Sequence, residues 1–173
     1  MEAQNRFQKE KQTDELSIRY LTFWTDHQLF GIPITEVVQI VGIQEITQLP
    51  EYPAYSKGVI NLRGQIIPVI DVRLRLGKTE IPYNDRTCII ITHVLNRDFG
   101  LIVDEVDEVT DILPERISPP PKVHSGKTNP YFSGIARLEA TSTQKDRVAL
   151  LLHAAKILGE NDCECLAQTA KTC

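Results

Sequence analysis

The sequence predicts an all-β protein in which two small barrels share one core. About ten apolar runs of strand length are separated by Gly, Pro, Asn and Asp residues, and few segments have helical character. A chain of 173 residues has the length of one ordinary domain. Because closing small sheets into barrels removes exposed strand edges, two barrels fit both the number of strands and the length.

The first elements are predicted to be a hairpin and a helical turn. Apolar runs at residues 19–24 and 29–34 flank a two-residue turn. Thr35 then has the character of a helix N-cap before an acidic first turn, so we expect a single helical turn over residues 36–40. A brief strand at residues 46–49 follows and is closed by a proline.

A second predicted hairpin carries an arginine at its reversal. The apolar runs 59–62 and 65–71 flank Arg63 and Gly64, and Gly64 tolerates the positive φ that a tight reversal needs. Residues 72–77 are expected to form another short turn of helix. An arginine at a reversal is either a solvated tip or an anchor for a partner. We favour the anchor, because arginine combines a bidentate fork with an apolar stem.

The second half of the domain continues the strand pattern. Residues 88–95 and 99–103 form a long-stranded hairpin, separated by a short polar loop. Apolar residues three apart in the next run break the period of two, which predicts a bulge at Asp107 and Glu108. Two further strands are expected at 132–138 and 147–153, and a helix over 154–158 closes the fold.

The ends of the chain differ in composition from the middle. Residues 1–15 and 160–173 are polar and lack a sustained apolar face, so burial cannot offset the cost of ordering them. We expect both to be flexible tails around a single domain at residues 16–159.

Charge and hydropathy exclude several classes of partner. The net charge is −4, from 19 basic and 23 acidic residues, so the chain lacks the long-range field that attracts nucleic-acid phosphates. No apolar segment of membrane-spanning length or secretory signal peptide is visible in the sequence. We therefore expect a cytoplasmic protein that neither binds nucleic acid nor inserts into a membrane.

The sequence offers no convincing catalytic or cofactor site. It contains no phosphate-binding glycine loop, and its four histidines do not form a metalloprotease motif. One acidic cluster lacks the spacing of a calcium loop and is interpreted as a solvated strand face; it comprises Asp104, Glu105, Asp107, Glu108 and Asp111. The four cysteines match neither a disulfide framework nor a paired zinc pattern, and reduced thiols are expected; they are Cys88, Cys163, Cys165 and Cys173.

We therefore expect no enzyme, no cofactor and no metal. Two rival interpretations remain at this stage. One is an enzyme built on small barrels, which would need convergent titratable groups in one cleft. The other is a nucleic-acid-binding barrel, which would need a basic, aromatic face.

Five segments, in order along the chain, resemble the CheW family, the coupling proteins of bacterial chemotaxis. The sequence KGVINLRGQIIPVIDVRLRLG at 57–77 is similar to the family signature. The other four are FGIPITEVVQIV at 30–41, FGLIVDEVDEV at 99–109, ILPERISPPP at 112–121 and YFSGIARLE at 131–139. Together they extend the resemblance over about residues 16–158.

The resemblance implies two five-stranded SH3-like barrels packed on a common core, with short helical turns and a short C-terminal helix. It also implies a non-enzymatic scaffold that couples the cytoplasmic tips of chemoreceptors to the regulatory domain of the histidine kinase CheA. Such a protein would be monomeric alone and part of a signalling array recruited to membrane receptors. The alternative within this class is an adaptor for pilus or gliding motility.

Eight positions are predicted partner contacts by this resemblance. They are Val37, Gln39, Ile40, Gly58, Asn61, Arg63, Gly64 and Val123. An acidic residue is common in the family where Gln39 stands, and a basic residue often precedes the proline run where Ser118 stands. We therefore expect contacts with the kinase to be weakened or retuned at these two places.

Overall fold

The protein folds into two β-sheets with very little helix. The structure, a computed structural model, describes residues 17–122, 126 and 129–159. Its strands are β1 Ile18–Thr25, β2 Gln28–Pro33, β3 Val37–Gly42, β4 Ser56–Leu62, β5 Gln65–Asp71, β6 Cys88–Val94, β7 Arg97–Val103, β8 Glu105–Ile112, β9 Ile117–Ser118, β10 Phe132–Leu138 and β11 Arg147–Leu152. The helices are α1 Val72–Arg75 and α2 Ala154–Leu158, and 3-10 turns occupy Ile34–Glu36 and Pro114–Arg116.

Each sheet forms one lobe of the molecule. The six-stranded lobe has the strand order β8-β1-β2-β11-β10-β9, and the five-stranded lobe has the order β3-β6-β7-β5-β4. Most neighbours are antiparallel, but β2 pairs with β11 and β5 pairs with β7 in parallel. The chain crosses between the lobes twice, through the 3-10 turn after β2 and through Asp104 between β7 and β8.

The two lobes have separate cores and also share a third one. The core of the six-stranded lobe comprises Tyr20, Leu29, Ile112, Ala136, Ala149 and Leu151. That of the five-stranded lobe comprises Ile60, Ile67, Val69, Ile89, Ile91 and Ile102. A larger shared core draws residues from both sheets and from α2, among them Leu21, Phe23, Phe30, Ile70, Ile90, Leu101, Leu152 and Ile157.

Alternation along the strands explains this arrangement. In β6, Ile89 and Ile91 enter the core of their own lobe, whereas Ile90 between them enters the shared core. In β11, Leu151 and Leu152 divide in the same way. Because successive side chains point to opposite faces of a sheet, both faces of these strands are buried, and their sequences are nearly continuous apolar runs.

The predicted all-β class, with two β units on a common core, is confirmed. The first sheet has a sixth strand because the two-residue β9 pairs with β10. The predicted bulge is also confirmed, since the register of β1 on β8 shifts between Leu21 and Phe23. There the Thr22 hydroxyl donates to Asp107 Oδ2 at 2.9 Å and lies 3.0 Å from the carbonyl oxygen of Glu108.

Three local predictions were wrong. Residues 37–40 form the start of β3 and not a helical turn, because their β-branched side chains alternate between half-buried and exposed against β6. The segment 46–49 contributes only the bridge between Thr47 and Val59. The loop between β6 and β7 is a two-residue turn at 95–96, where both residues have positive φ, so β7 begins earlier than predicted.

The acidic cluster is a solvated face only in part, because Glu105, Glu108 and Asp111 are exposed whereas Asp104 and Asp107 are not. Asp104 is a partner of Arg73, and Asp107 pairs with Arg147 through Nη1 and Oδ2 at 2.9 Å. Both aspartates are partly buried. Single-sequence patterns cannot find these pairs, because their partners are 31 and 40 residues away. The predicted tails lie outside the described residues and stay predictions.

Gly58 is a position where the fold leaves no room for a side chain. A Cβ atom there would lie 2.0 Å from the carbonyl oxygen of Thr47, and φ is +130°. We expect Gly58→Ala to lower the free energy of unfolding by about 2–4 kcal/mol through overpacking and backbone strain. Urea unfolding followed by the fluorescence of the single tryptophan, Trp24, measures it.

Gly42→Ala is the matched control. An added Cβ at this exposed position meets no atom within 4 Å, so we expect a change within about 0.5 kcal/mol. Equal stability of the two variants would contradict the tight contact between Gly58 and Thr47.

Candidate protein-binding surface

Strand β3 forms one edge of the five-stranded sheet. It pairs with β6 on one side only, with Ile40 opposite Ile90 and Val41 opposite Ile89. The register shifts between Val37 and Gln39, so Val38 is the extra residue of a β-bulge. An edge strand leaves backbone N–H and C=O groups unpaired, and such an edge is a common place for another protein chain to bind.

Two apolar side chains on this edge are exposed. Val38 is 52% and Ile40 is 42% exposed. Ile40 lies on the same face of the sheet as its neighbour Ile90, which belongs to the shared core, so it borders the junction between the lobes. Val37 is half-buried and packs against the shared core. The helical interpretation of this segment missed Val38, which is exposed as the extra residue of the bulge.

The 3-10 turn that leads into β3 shields one carboxylate oxygen from solvent. The Oε2 atom of Glu36 is buried and has no hydrogen-bond partner among the described residues. Burial raises the pKa of Glu36, and the charge of His153 lowers it in part. Burial, followed by the charge of Glu36, raises the pKa of Tyr20. Glu36 therefore lies where the start of β3 meets two segments of the six-stranded lobe.

The hairpin between β4 and β5 projects Arg63 into solvent. Arg63 and Gly64 both have positive φ, of 53° and 86°, as a two-residue hairpin turn of type I′ requires. Asn61 closes the turn, because its Oδ1 accepts a hydrogen bond from the backbone N–H of Gly64 at 2.8 Å. Within the described part of the chain, the Arg63 guanidinium has no hydrogen-bond or ion-pair partner, and it is exposed.

A second hairpin tip, between β6 and β7, lies beside the first. It exposes Leu95, which the sequence did not single out as a candidate contact. Asp98 joins the two hairpins, since one oxygen accepts from Gln65 Nε2 at 3.1 Å and the other lies 2.6 Å from His93 Nδ1. The parallel pairing of β5 with β7 brings these residues together.

The predicted contacts fall on two parts of the five-stranded sheet, which lie on opposite sides of its strand order. Val37, Gln39 and Ile40 lie on the edge strand β3, which pairs with β6. Asn61, Arg63 and Gly64 lie at the β4–β5 hairpin, whose tip is beside the start of β7. Gly58 is buried and presents no side chain to a partner. Val123 lies outside the described residues.

In the ranges that the structure describes, no three His, Cys, Asp or Glu side chains are grouped so as to hold a metal ion. No helix in those ranges is long and apolar enough to cross a membrane. The region combines the exposed apolar side chains of Val38, Ile40 and Leu95 with the exposed Arg63, a composition typical of protein–protein contact sites.

Comparisons with known proteins identify the family of this chain. The family model described as "CheW-like domain" matches residues 19–162. The chemotaxis protein CheW of Klebsiella aerogenes is 29% identical over 153 residues, which cover 88% of this chain and 89% of that protein. Protein PilI of Pseudomonas aeruginosa is 34% identical, but over 79 residues that cover 46% of this chain.

A solved structure extends the likeness to three dimensions. The scaffolding protein TtCheW of Thermoanaerobacter tengcongensis superposes with a TM-score of 0.72 at 33% sequence identity, covering 84% of this chain and 95% of that one. The family model spans both lobes, including the edge strand and both hairpin tips described above. The chain therefore belongs to the CheW-like family.

Proposed function

We propose that this chain is a cytoplasmic scaffold of chemotaxis-type signalling that couples chemoreceptor tips to the histidine kinase CheA. It acts by binding and not by catalysis, and it is recruited to receptor arrays at the membrane. The observation that carries the proposal is the exposure of Val38 and Ile40 on the edge strand β3 and of Arg63 at the tip of the β4–β5 hairpin. The match to CheW proteins over both lobes supports it.

The receptor is proposed to bind at the junction between the lobes. Ile40 borders this junction on the face that carries Ile90, and Val37 packs beneath the same edge. A helix from a receptor tip can place an apolar face along this junction, with anchoring side chains spaced three and four residues apart. Gln39 lies between these residues in sequence but pairs with Ile91, on the opposite face of the sheet, so it is not part of this receptor contact.

The kinase is proposed to bind at the hairpin tips. The type I′ turn holds the Arg63 guanidinium away from the sheet, where its fork can bind a carboxylate of the regulatory domain. A partner of the same fold can use a different surface on each lobe, and heterologous contacts of this kind build rings or chains. Each single contact can be weak, because many simultaneous contacts in the array supply avidity. Without its partners the protein is therefore a monomer.

The alternative, an adaptor for pilus or gliding motility, is not favoured. Protein PilI matches less than half of the chain, whereas the chemotaxis protein CheW of Klebsiella aerogenes matches 88% of it. Ser118, the second departure from the family pattern, is exposed on β9 of the other lobe, away from the edge strand.

Arg63→Ala tests the kinase contact. We expect the fold to stay intact, because Arg63 makes no bond within the described residues, and the affinity for the CheA regulatory domain to fall by about 1–3 kcal/mol. Titration calorimetry measures the affinity, and circular dichroism confirms folding. Arg137→Ala, an exposed arginine on β10, is the control and should bind like the unmutated chain. Unchanged affinity in folded Arg63→Ala would sink the assignment.

Ile40→Ser tests the receptor contact. Removing the apolar side chain should weaken binding of a synthetic receptor-tip peptide by about 1 kcal/mol, or roughly fivefold. Backbone resonances of residues 36–41 should shift when the peptide is added to the unmutated chain. Val109→Ser is the control, since Val109 on β8 is 50% exposed but lies on the other lobe. A similar loss in both variants would contradict a specific site at β3.

A further inference from the structure

Helix α1 is short but firmly anchored to the five-stranded lobe. Asp71, at the end of β5, is buried, and its Oδ1 caps the helix by accepting from the N–H of Leu74 at 3.2 Å. Its Oδ2 accepts from the Tyr83 hydroxyl at 2.8 Å. Burial, and then this hydrogen bond, raises the pKa of Tyr83. The helix therefore has a fixed position from which its side chains can reach the other lobe.

Arg73 of this helix binds residues on both sides of the lobe junction. Its side chain is 9% exposed, and Nη1 lies 2.9 Å from Asp26 Oδ1. Asp26 belongs to the turn between β1 and β2 in the six-stranded lobe. The same guanidinium binds Asp104, the crossover residue, through Nη2 to Oδ2 and through Nε to Oδ1 at 3.4 Å. The hydrogen bond to Asp104 is the main reason that the pKa of Arg73 is raised.

The three groups form a closed set of bonds. The backbone N–H of Asp26 donates to Asp104 Oδ2 at 2.9 Å, so the two carboxylates are linked to each other as well as to Arg73. Lys78 adds a second cation, 3.5 Å from Asp26 Oδ2. We call Arg73, Asp26 and Asp104 the interlobe clasp. A planar guanidinium bound on both edges accepts few arrangements of its partners.

A second arginine of the same helix reinforces the junction. Arg75 Nε donates to the carbonyl oxygen of Ile157 in α2 at 2.7 Å. Its guanidinium lies 4.3 Å from the ring centre of Tyr55 and 5.1 Å from that of Tyr131, which precede β4 and β10 respectively. Residues two apart on a helix project in different directions, so α1 holds the other lobe at two separate places.

Directional bonds at this junction have a role that apolar packing cannot supply. The hydrophobic effect holds the shared core together without a preferred direction, so it permits small rotations of one sheet on the other. The clasp selects one of these orientations. A binding surface to which both lobes contribute has a defined shape only when the orientation of one lobe on the other is fixed.

We propose that Arg73 is a positioning residue, which orients the two lobes so that the surface beside Ile40 at the lobe junction is preorganised for a receptor helix. The part concerning the receptor rests on the proposed function. Arg73 itself does not touch the partner, because it is buried between Asp26 and Asp104. Preorganisation raises affinity because no binding energy is spent on reorienting the lobes.

The test compares Arg73→Gln with Arg147→Gln. Arg147 is a matched control: it is 18% exposed and binds Asp107 Oδ2 at 2.9 Å and Glu108 Oε1 at 2.7 Å, both within its own sheet. Residual dipolar couplings of backbone amides report the relative orientation of the two sheets. Affinity is measured with a synthetic peptide spanning the cytoplasmic tip of a receptor encoded in the same genome.

In Arg73→Gln we expect each sheet to keep its internal geometry but the two sheets to need different alignment tensors. We also expect peptide affinity to fall by about tenfold. In Arg147→Gln one tensor should fit both sheets, and affinity should change less than about twofold, even if stability drops.

Asp26→Gly is the second variant, should Arg73→Gln fail to fold. This substitution removes the carboxylate through which Arg73 binds the six-stranded lobe, and glycine tolerates the φ of 51° at position 26.

One common tensor in both Arg73→Gln and Asp26→Gly would overturn the orienting role. A changed orientation with unchanged peptide affinity would overturn the proposed effect of Arg73 on receptor binding. Failure of the unmutated chain to bind the peptide would overturn the proposed function instead, while the couplings would still decide the role of Arg73 in orienting the lobes.

Discussion

The shared core is the constraint on which the rest of the structure depends. Strands of both sheets give alternate side chains to their own lobe and to the junction, as Ile89 and Ile90 do in β6. Two faces of each central strand are therefore buried, and a change of register would move apolar side chains out of both cores at once. The three apolar clusters stabilise one arrangement of strands together.

This constraint leaves few places where a partner can bind. The faces of the central strands are occupied, and under the proposed function the partners bind at the edge strand β3 and at the hairpin tips. Val38 is exposed because a bulge places it outside the alternation, and Arg63 because a type I′ turn ends the hairpin. The proposed partner contacts thus lie at positions whose residues are not fixed by packing in the cores. The clasp around Arg73 adds the directional information that those cores lack.

Local patterns in the sequence predicted much of the fold. Alternating apolar runs and turn residues located the hairpins at 26–27 and 63–64, and the odd spacing before Val109 located the bulge. The segment 36–40 was misassigned because an N-cap signal and a short apolar run fit a helical turn and a strand equally well. The turn at Leu95 was missed because leucine is not a residue that signals positive φ.

Long-range contacts were beyond the reach of the sequence. Nothing in the run of residues 72–75 indicates that Arg73 meets Asp26 and Asp104, which are 47 and 31 residues away. The burial of Gly58 against Thr47 likewise depends on a bridge between segments that no periodicity links. The resemblance to a family supplied the site segments, but the structure was needed to show that one is an edge strand and the other a hairpin tip of the same sheet.

The most direct test of this account is native-state amide hydrogen exchange of the two lobe cores in one experiment. If the shared core makes the lobes one cooperative unit, the slowest amides of Leu29 and Leu151 in one lobe and of Ile67 and Ile89 in the other will exchange with the same free energy of opening. That common value will equal the free energy of global unfolding. Exchange of one set through a distinctly cheaper opening, while the other set stays protected, would show independent lobes and contradict the account.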